Sequence, residues 1–442
     1  MTKPSAIWRV MKQHVFQLHR GTAMRLCALM LLTLTSYSVK AQSMPAWERE
    51  AHSRIDQIRR ENLKVIVLDQ GQTPLPGVNV KITQRRHAMP LGLTVSPDQL
   101  PLDILVSQNL SAPLFRVFNS VNLGDIGRWD HLEPEMGLGD TGRIKYWLNW
   151  ANELGMRVRY GSVFSANLNH QTEWVSILGR RDLMASLELH QRQILNQFGT
   201  RVSAIDLYGH ALGHHFVEQQ LSTVMLRRMY EQATAVCPEV PMAVQMDDVL
   251  NPMRVKQAVA RMSELKNAFV PVEQWSIGVH IPADVDPHKL QSGLDWLASL
   301  NVPIMVTNLS FASDCSLEAV RTALIMLYSH PAVKGIYIAL PSADEMTSPP
   351  RLPLTDARGQ MTRAGSVVDE MFTDTWISRG ELKTDMRGSV MTRVFSGLYD
   401  LSATLPDGQV AYTSVYVPDL PEGQGNQTVV ISPLSVSLEP IN

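Results

Sequence analysis

The sequence predicts a (β/α)8 TIM barrel, of class α/β, with an accessory β-sandwich built from N- and C-terminal strands. Three observations carry this expectation. From about residue 89, short apolar strands alternate with amphipathic helical stretches, the signature of parallel βα units. Eight such units in roughly 250 residues is the size of a TIM barrel. Both flanks of this region instead alternate with period two, the pattern of half-buried strands.

The eight barrel strands are expected at Leu91–Val95, Phe115–Val121, Val158–Phe164, Val202–Tyr208, Met242–Met246, Trp275–His280, Pro303–Leu309 and Gly335–Leu340. Asp182–Phe198 places Leu183, Leu187, Ile194, Leu195 and Phe198 on one helical face, with Gly199 as its stop. Ser316–Tyr328 reads as a second clear helix. An open doubly wound sheet is the runner-up, but no Gly-rich phosphate loop follows the first strand. Leu63–Asp69 and Val78–Ile82 alternate around a Pro74-Leu75-Pro76-Gly77 turn, and the C-terminal part repeats the style in Gly397–Leu401, Val410–Val417 and Val429–Ile431. Two strands alone make no stable sheet, so both ends should join in one sandwich, with Trp376 and Tyr399 in its core. The expected organisation is a signal peptide over 1–41, sandwich strands over 42–86, the barrel over 87–372 and further sandwich strands over 373–442.

The 442 residues are 45% hydrophobic and 19% charged, ordinary for a globular chain, and the net charge of -2 leaves no basic footprint for nucleic acid. Lys12, Arg20 and Arg25 precede an apolar stretch, Leu26–Leu34, and Val39-Lys40-Ala41 offers a small-residue cleavage site before Gln42. Met24 would begin a more ordinary signal peptide. The protein is expected to be exported, periplasmic or extracellular, with no membrane span after cleavage. Cys237 and Cys315 would then remain, at opposite ends of the barrel and beyond disulfide reach. No cofactor and no resident metal are expected, since no CxxC and no Cys/His pair has structural-zinc spacing.

The motifs resemble glycoside hydrolase family 10, the xylanase family, over roughly residues 60–400. Residues 87–95, His-Ala-Met-Pro-Leu-Gly-Leu-Thr-Val, are similar to that family's first strand. Phe118-Asn119-Ser120-Val121, Arg128-Trp129 and Leu132-Glu133-Pro134-Glu135-Met136-Gly137 are similar to its second strand and loop. Val202–His210 resembles the strand that ends in the acid/base glutamate, Trp275–His280 the strand that ends Gln-x-His, and Thr307-Asn308-Leu309-Ser310 the strand that carries the nucleophile.

The departures gather at the sugar site that the resemblance implies. His210 stands at the acid/base position and Asn308 at the nucleophile position, and an amide has no ionisable oxygen to attack an anomeric carbon. Gly124 and Asp125 replace a glutamate-asparagine pair, and Arg128 a lysine. Tyr160-Gly161-Ser162 lacks an expected histidine, Ser165 stands for a tryptophan, Gly209 for an asparagine, and Gly278 for a glutamine. Ala339 and Leu340 replace a tryptophan end of the eighth strand, while Trp129, Asp206, His280 and Glu133 are retained. The catalytic set is therefore expected to be missing from its ordinary positions.

Relocated carboxylates are the remaining catalytic candidates: Asp206, Asp247 and Asp248, with His210 as proton donor. For the aspartate pair the plainer reading is a loop start holding backbone amides. His210, His214 and His215 form a His-x3-His-His cluster that could hold a metal with Asp206 or His280 as third ligand; polar loop surface is the plainer reading. Trp129 either stacks on a sugar or plugs the barrel top, and Trp147 and Trp150 read as core. The carbohydrate-binding set is Trp129, Asp206, Asp247, His280 and Asn308. The expected function is a secreted, non-hydrolytic barrel that binds or scaffolds a polysaccharide or oligosaccharide. The alternatives are an active glycosidase with relocated groups and a purely structural envelope protein.

Overall fold

The computed structural model describes residues 44–95, 117–339, 350–356, 360–419 and 426–433. The chain divides after Arg49, and the unit Glu50–Asn442 holds the barrel and both flanking sheets. The expected signal peptide lies outside the described residues.

The barrel strands are β3 (Leu91–Thr94), β4 (Ser120–Asn122), β5 (Arg157–Tyr160), β7 (Ala204–Gly209), β8 (Met242–Met246), β9 (Gln274–Ile281), β10 (Ile304–Phe311) and β11 (Val333–Ala339), with a short β6 (Phe164–Ser165) beside β7. All pair in parallel, and pairings of β5 with β7 and of β11 with β3 close the ring. The single expected strand Val158–Phe164 is thus two pieces, β5 and β6. Part of the expected second strand, Phe115 and Arg116, lies outside the described residues.

A charged layer crosses the barrel interior. Arg159 on β5 donates to Asp206 Oδ1 on β7 at 2.6 Å, to Ser276 Oγ on β9 at 2.6 Å and to Gln274 Oε1 at 2.8 Å. Ser276 donates to the same aspartate oxygen. Arg159 and Asp206 are almost fully buried. Three strands are thereby tied at one height.

The helix Arg180–Phe198 forms as its apolar spacing demands. Its stop works differently from expectation. Gly199 has φ -53° and continues into a 3-10 turn. A Cβ there would lie 2.2 Å from the Cys237 sulfur, so packing rather than a left-handed cap requires the glycine. The helix Leu317–Ser329 begins at Ser316, whose side chain accepts from the amide of Ala319. Cys237 and Cys315 are both buried and unpaired.

The flanking strands form two sheets. One has the order β13-β1-β16 and the other β12-β2-β14-β15, where β1 is Arg60–Val67, β2 Asn79–His87, β12 Arg379–Lys383, β13 Ser389–Phe395, β14 Gly397–Thr404, β15 Val410–Val417 and β16 Asn426–Ile431. The Pro-Gly turn carries the chain from one sheet to the other. Leu63 and Val65 of β1 meet Val80 and Ile82 of β2, with Tyr399 and Leu401 of β14, in one core. This is the expected sandwich with strands from both flanks.

Two details differ from expectation. The N-terminal flank opens with a helix, Ala46–Arg59. Its last residue, Arg59, is buried and donates to the carbonyls of Tyr328, His330 and Val333. Trp376 is not in the sandwich core. It stacks on Tyr328 of a barrel helix at 4.0 Å, with Phe372 beside it, at the junction between barrel and sandwich.

Removing one partner of the Arg159–Asp206 pair should leave an uncompensated buried charge. Asp206→Ala is expected to cost about 3–5 kcal/mol, and Asp206→Leu with Arg159→Met much less. Urea denaturation of both variants checks this; equal losses would contradict it.

Candidate functional site

Ligands of a parallel barrel bind at the C-terminal ends of its strands, and most of the expected residues stand there. The loop after β4 runs through a 3-10 turn, Gly124–Gly127, that carries Asp125. Gly124 has φ +51°, and a Cβ on it would meet the Val95 carbonyl oxygen at 2.6 Å. A Cβ on Gly161 would sit 1.6 Å from the Gly124 carbonyl oxygen. The loops after β4 and β5 therefore lie one on the other, an approach only glycine permits.

His210 follows β7 with φ +54°, a left-handed conformation that is strained for a residue with a Cβ. Its amide donates to Gln245 Oε1 at 2.8 Å, which fixes it to β8. Its Nε2 lies 3.8 Å from Asp125 Oδ1 and 3.7 Å from Asp247 Oδ2. These separations are longer than hydrogen bonds, so the imidazole stands between two carboxylates within Coulomb range of each. On its other side, Nδ1 is 3.3 Å from Ser165 Oγ, and the His170 ring is 4.3 Å away edge-on.

The residues around His210 were not all legible. His170 arrives from the loop after β6, with its Nδ1 3.1 Å from Ser165 Oγ. It brings an imidazole close to the strand that lacks the expected histidine. Burial, with His210 and Arg128 beside it, lowers its pKa to about 4. Gln245 was also missed. It projects from β8 and donates to Asp247 Oδ1 at 2.6 Å, and its place in an alternating strand was the available signal. Arg128 pairs with Asp125 at 3.0 Å and Asp130 at 2.6 Å.

Asp247 leans over β9 because Gly278 makes room: a Cβ on Gly278 would meet Asp247 Oδ1 at 2.8 Å. Burial pushes the Asp247 carboxyl up; His210 opposes the shift and Asp125 adds to it. Asp248 turns away, with φ +51°, and pairs with Arg254 at 3.2 Å. The two aspartates diverge because the chain leaves β8 at Met246 and turns left-handed at Asp248. His280 Nδ1 lies 2.9 Å from Ser310 Oγ, and burial, together with Arg351, lowers its pKa. Asn308 is half-buried on β10, opposite Gly278, where the pairing of β9 and β10 shifts register.

Two expected binding residues prove to be structural. Trp129 is 4% exposed. It stacks on His190 at 4.6 Å, meets Phe164 and Trp174 edge-on, and donates to Glu133 Oε2. It plugs the barrel top and offers no ring face to a sugar. Asp206 lies beneath the mouth, held by Arg159 and Ser276, and is unavailable to ligand or substrate. The His-x3-His-His cluster is not assembled: no helix links His210 to His214, His214 is exposed, and His215 sits 4.0 Å from Glu218. Among the described residues no group of three or more His, Cys, Asp or Glu is arranged to hold a metal ion.

Comparison with known proteins gives the same architecture. No family model matches the chain. It is 22% identical over 375 residues to the anti-sigma-I factor RsgI6 of Acetivibrio thermocellus, covering 83% of this chain and 48% of that protein. It is 23% identical over 362 residues to endo-1,4-beta-xylanase 5 of Arabidopsis thaliana, covering 79% of this chain and 62% of that protein. The chain thus spans about half to three fifths of the length of these curated relatives. Among solved structures, a psychrophilic glycoside hydrolase family 10 endo-beta-1,4-xylanase superposes with a TM-score of 0.56 at 14% identity, over 64% of this chain and 96% of that one. The protein is a (β/α)8 barrel. Its fold is that of the family 10 xylanases.

Two buried histidines, one beside Trp129 and one at the junction of barrel and sandwich, predict acid sensitivity. Burial depresses His190, the stacking partner of Trp129, to about 3, and His87 to about 4. Both are depressed below the unfolded value, so the unfolded chain binds more protons. Their contribution is complete above about pH 6.5 and is lost as pH falls from there toward their folded values. Stability should drop by about 1.4 kcal/mol per pH unit for each near pH 5. Urea midpoints at pH 7, 6 and 5 measure this; a flat profile would contradict it.

Proposed function

We propose that this chain is an exported, xylanase-like barrel that holds a polysaccharide without cleaving it. One observation carries the reading. The strand ends that correspond to the family's acid/base and nucleophile bear His210 and Asn308, and the imidazole stands between Asp125 and Asp247 rather than opposite a carboxylate nucleophile. A retaining glycosidase needs two carboxyls roughly 5–5.5 Å apart, one of them free to attack. An imidazole can move a proton, but an amide cannot form the glycosyl-enzyme bond.

Binding is supported by what the mouth keeps. Asp247, His280, Asn308 and Ser310 lie toward or just beyond the C-terminal ends of their strands, and carboxylate, imidazole, amide and hydroxyl groups all suit sugar hydroxyls. With Trp129 buried, stacking on that ring contributes nothing. Affinity should be weak, on the order of a millimolar Kd, worth about 4 kcal/mol. Export rests on the N-terminal pattern of basic residues, an apolar stretch and Val39-Lys40-Ala41.

A second reading has its own observation. The Asp247 carboxyl is pushed up by burial beside an imidazole, an arrangement that suits general acid catalysis from a relocated position.

One experiment separates the two. Mature protein incubated with a polysaccharide panel should release no reducing ends above a blank. Asn308→Glu combined with His210→Glu should not restore xylan hydrolysis, because Gly124, Asp125 and Gly278 also replace the family's sugar contacts. Robust release that Asp247→Asn abolishes would establish the relocated hydrolase instead. Sequencing the N-terminus of protein recovered outside the cytoplasm should begin at Gln42; recovery only from the cytoplasm would remove the export reading.

A further inference from the structure

The edge strands β12 and β13 belong to different sheets of the sandwich, and a cavity of about 220 Å³ opens between them. Its cause is a missing side chain. Successive residues of a strand point to opposite faces. Leu382 of β12 packs against the sandwich core, so Gly380, two residues earlier, faces the same way. Gly380 pairs with Ile82, and a Cβ on it would meet no atom within 4 Å. An inward position at the sandwich edge is thus left empty. Glycine inside a strand often marks close approach of a ligand.

Three arginines line this cavity: Arg60, Arg379 and Arg393. The Arg60 guanidinium lies 4.3 Å over the Phe395 ring and 3.6 Å from Asp56. Arg393 approaches the same Asp56 at 3.9 Å and donates to the carbonyls of Asp56 and Arg60. Arg379 donates to the Thr373 carbonyl at 2.8 Å and reaches Asp374 at 3.5 Å. Three guanidinium groups therefore share two carboxylates, and those are 52% and 67% exposed. Exposed pairs of this kind are weak, so a ligand carboxylate can replace them. The arginine fork is suited to bind such a carboxylate through two parallel hydrogen bonds.

We propose that this groove holds a uronate residue of an acidic polysaccharide, as a second glycan site apart from the barrel mouth. The inference rests on the polysaccharide reading above. The floor, Ile82 and Leu382, suits the apolar face of a pyranose, and the arginine rim suits its carboxylate. The volume lies below the roughly 300 Å³ of drug-sized pockets, which fits one ring of a chain. An added peptide strand fits less well, because Arg379, Lys383 and Arg393 stand on the open strands, where basic side chains oppose strand pairing.

The test is NMR titration of the mature full-length protein with trigalacturonate, a neutral galactose trisaccharide and an acidic pentapeptide. Gly380→Val fills the cavity at unchanged charge, and Arg379→Gln and Arg393→Gln remove charge at similar volume. Thermal melts confirm that each variant folds. Trigalacturonate should shift resonances of β12 and β13. Gly380→Val should abolish this, and each Arg→Gln should raise Kd by about tenfold. The neutral sugar should leave these strands unmoved. A barrel-mouth variant, Asp247→Ala with Asn308→Ala, should leave the response intact. Binding that survives Gly380→Val but is lost in the barrel-mouth variant would overturn the groove and leave the barrel reading standing. An acidic peptide binding as tightly would overturn the glycan assignment. No response to any probe would overturn the site and leave the arginines as guards of two open edges.

Discussion

The buried ion pair between Arg159 and Asp206 is the constraint on which the rest of the barrel depends. Two charges taken out of water cost several kcal/mol each unless they are paired and hydrogen-bonded. Arg159 meets this condition by reaching Asp206, Ser276 and Gln274 together. That set is complete only when β5, β7 and β9 stand in one register. The heights of their C-terminal ends then follow. His210 lies four residues beyond Asp206, and His280 four beyond Ser276. The layer that contains Arg159 and Asp206 is the device that sets the level of the mouth.

Above that layer, glycines decide the shape. Gly124 and Gly161 let two loops lie in contact, and Gly278 admits the Asp247 side chain. Gly209 does the same for Ser162, whose Cβ lies 2.4 Å from where a glycine-to-alanine change would put a methyl. At Gly124, Gly209 and Gly278 the resemblance leads one to expect a longer polar residue. The space those side chains would take is filled by the chain's own loops and by Asp247. His210 is held in a left-handed conformation within this packing, tied through its amide to Gln245. His210 and Asn308, at the positions where the resemblance implies glutamates, thus stand in a mouth whose neighbouring loops are also packed differently. The sandwich presents the reverse case: at Gly380 nothing fills the space, and an arginine-lined cavity remains.

The sequence by itself determined the barrel, the sandwich and the identity of the groups at the two key strand ends. Strand and helix periods follow from local chemistry, and Asn308 and His210 are what they are in any fold. The two period-two strands of the N-terminal flank could not make a stable sheet alone, so they had to join the C-terminal ones. Only the tertiary structure decided which side chains are available. Trp129 and Asp206 match a sugar site in sequence, yet packing against His190 closes one and the ion pair with Arg159 occupies the other. The meeting of His210 with Asp125, Asp247 and His170 joins residues from four separate segments, and no local pattern encodes it. Burial and long-range contact are properties of the packed whole: they depend on which segments the closed barrel brings together, and that cannot be read one segment at a time.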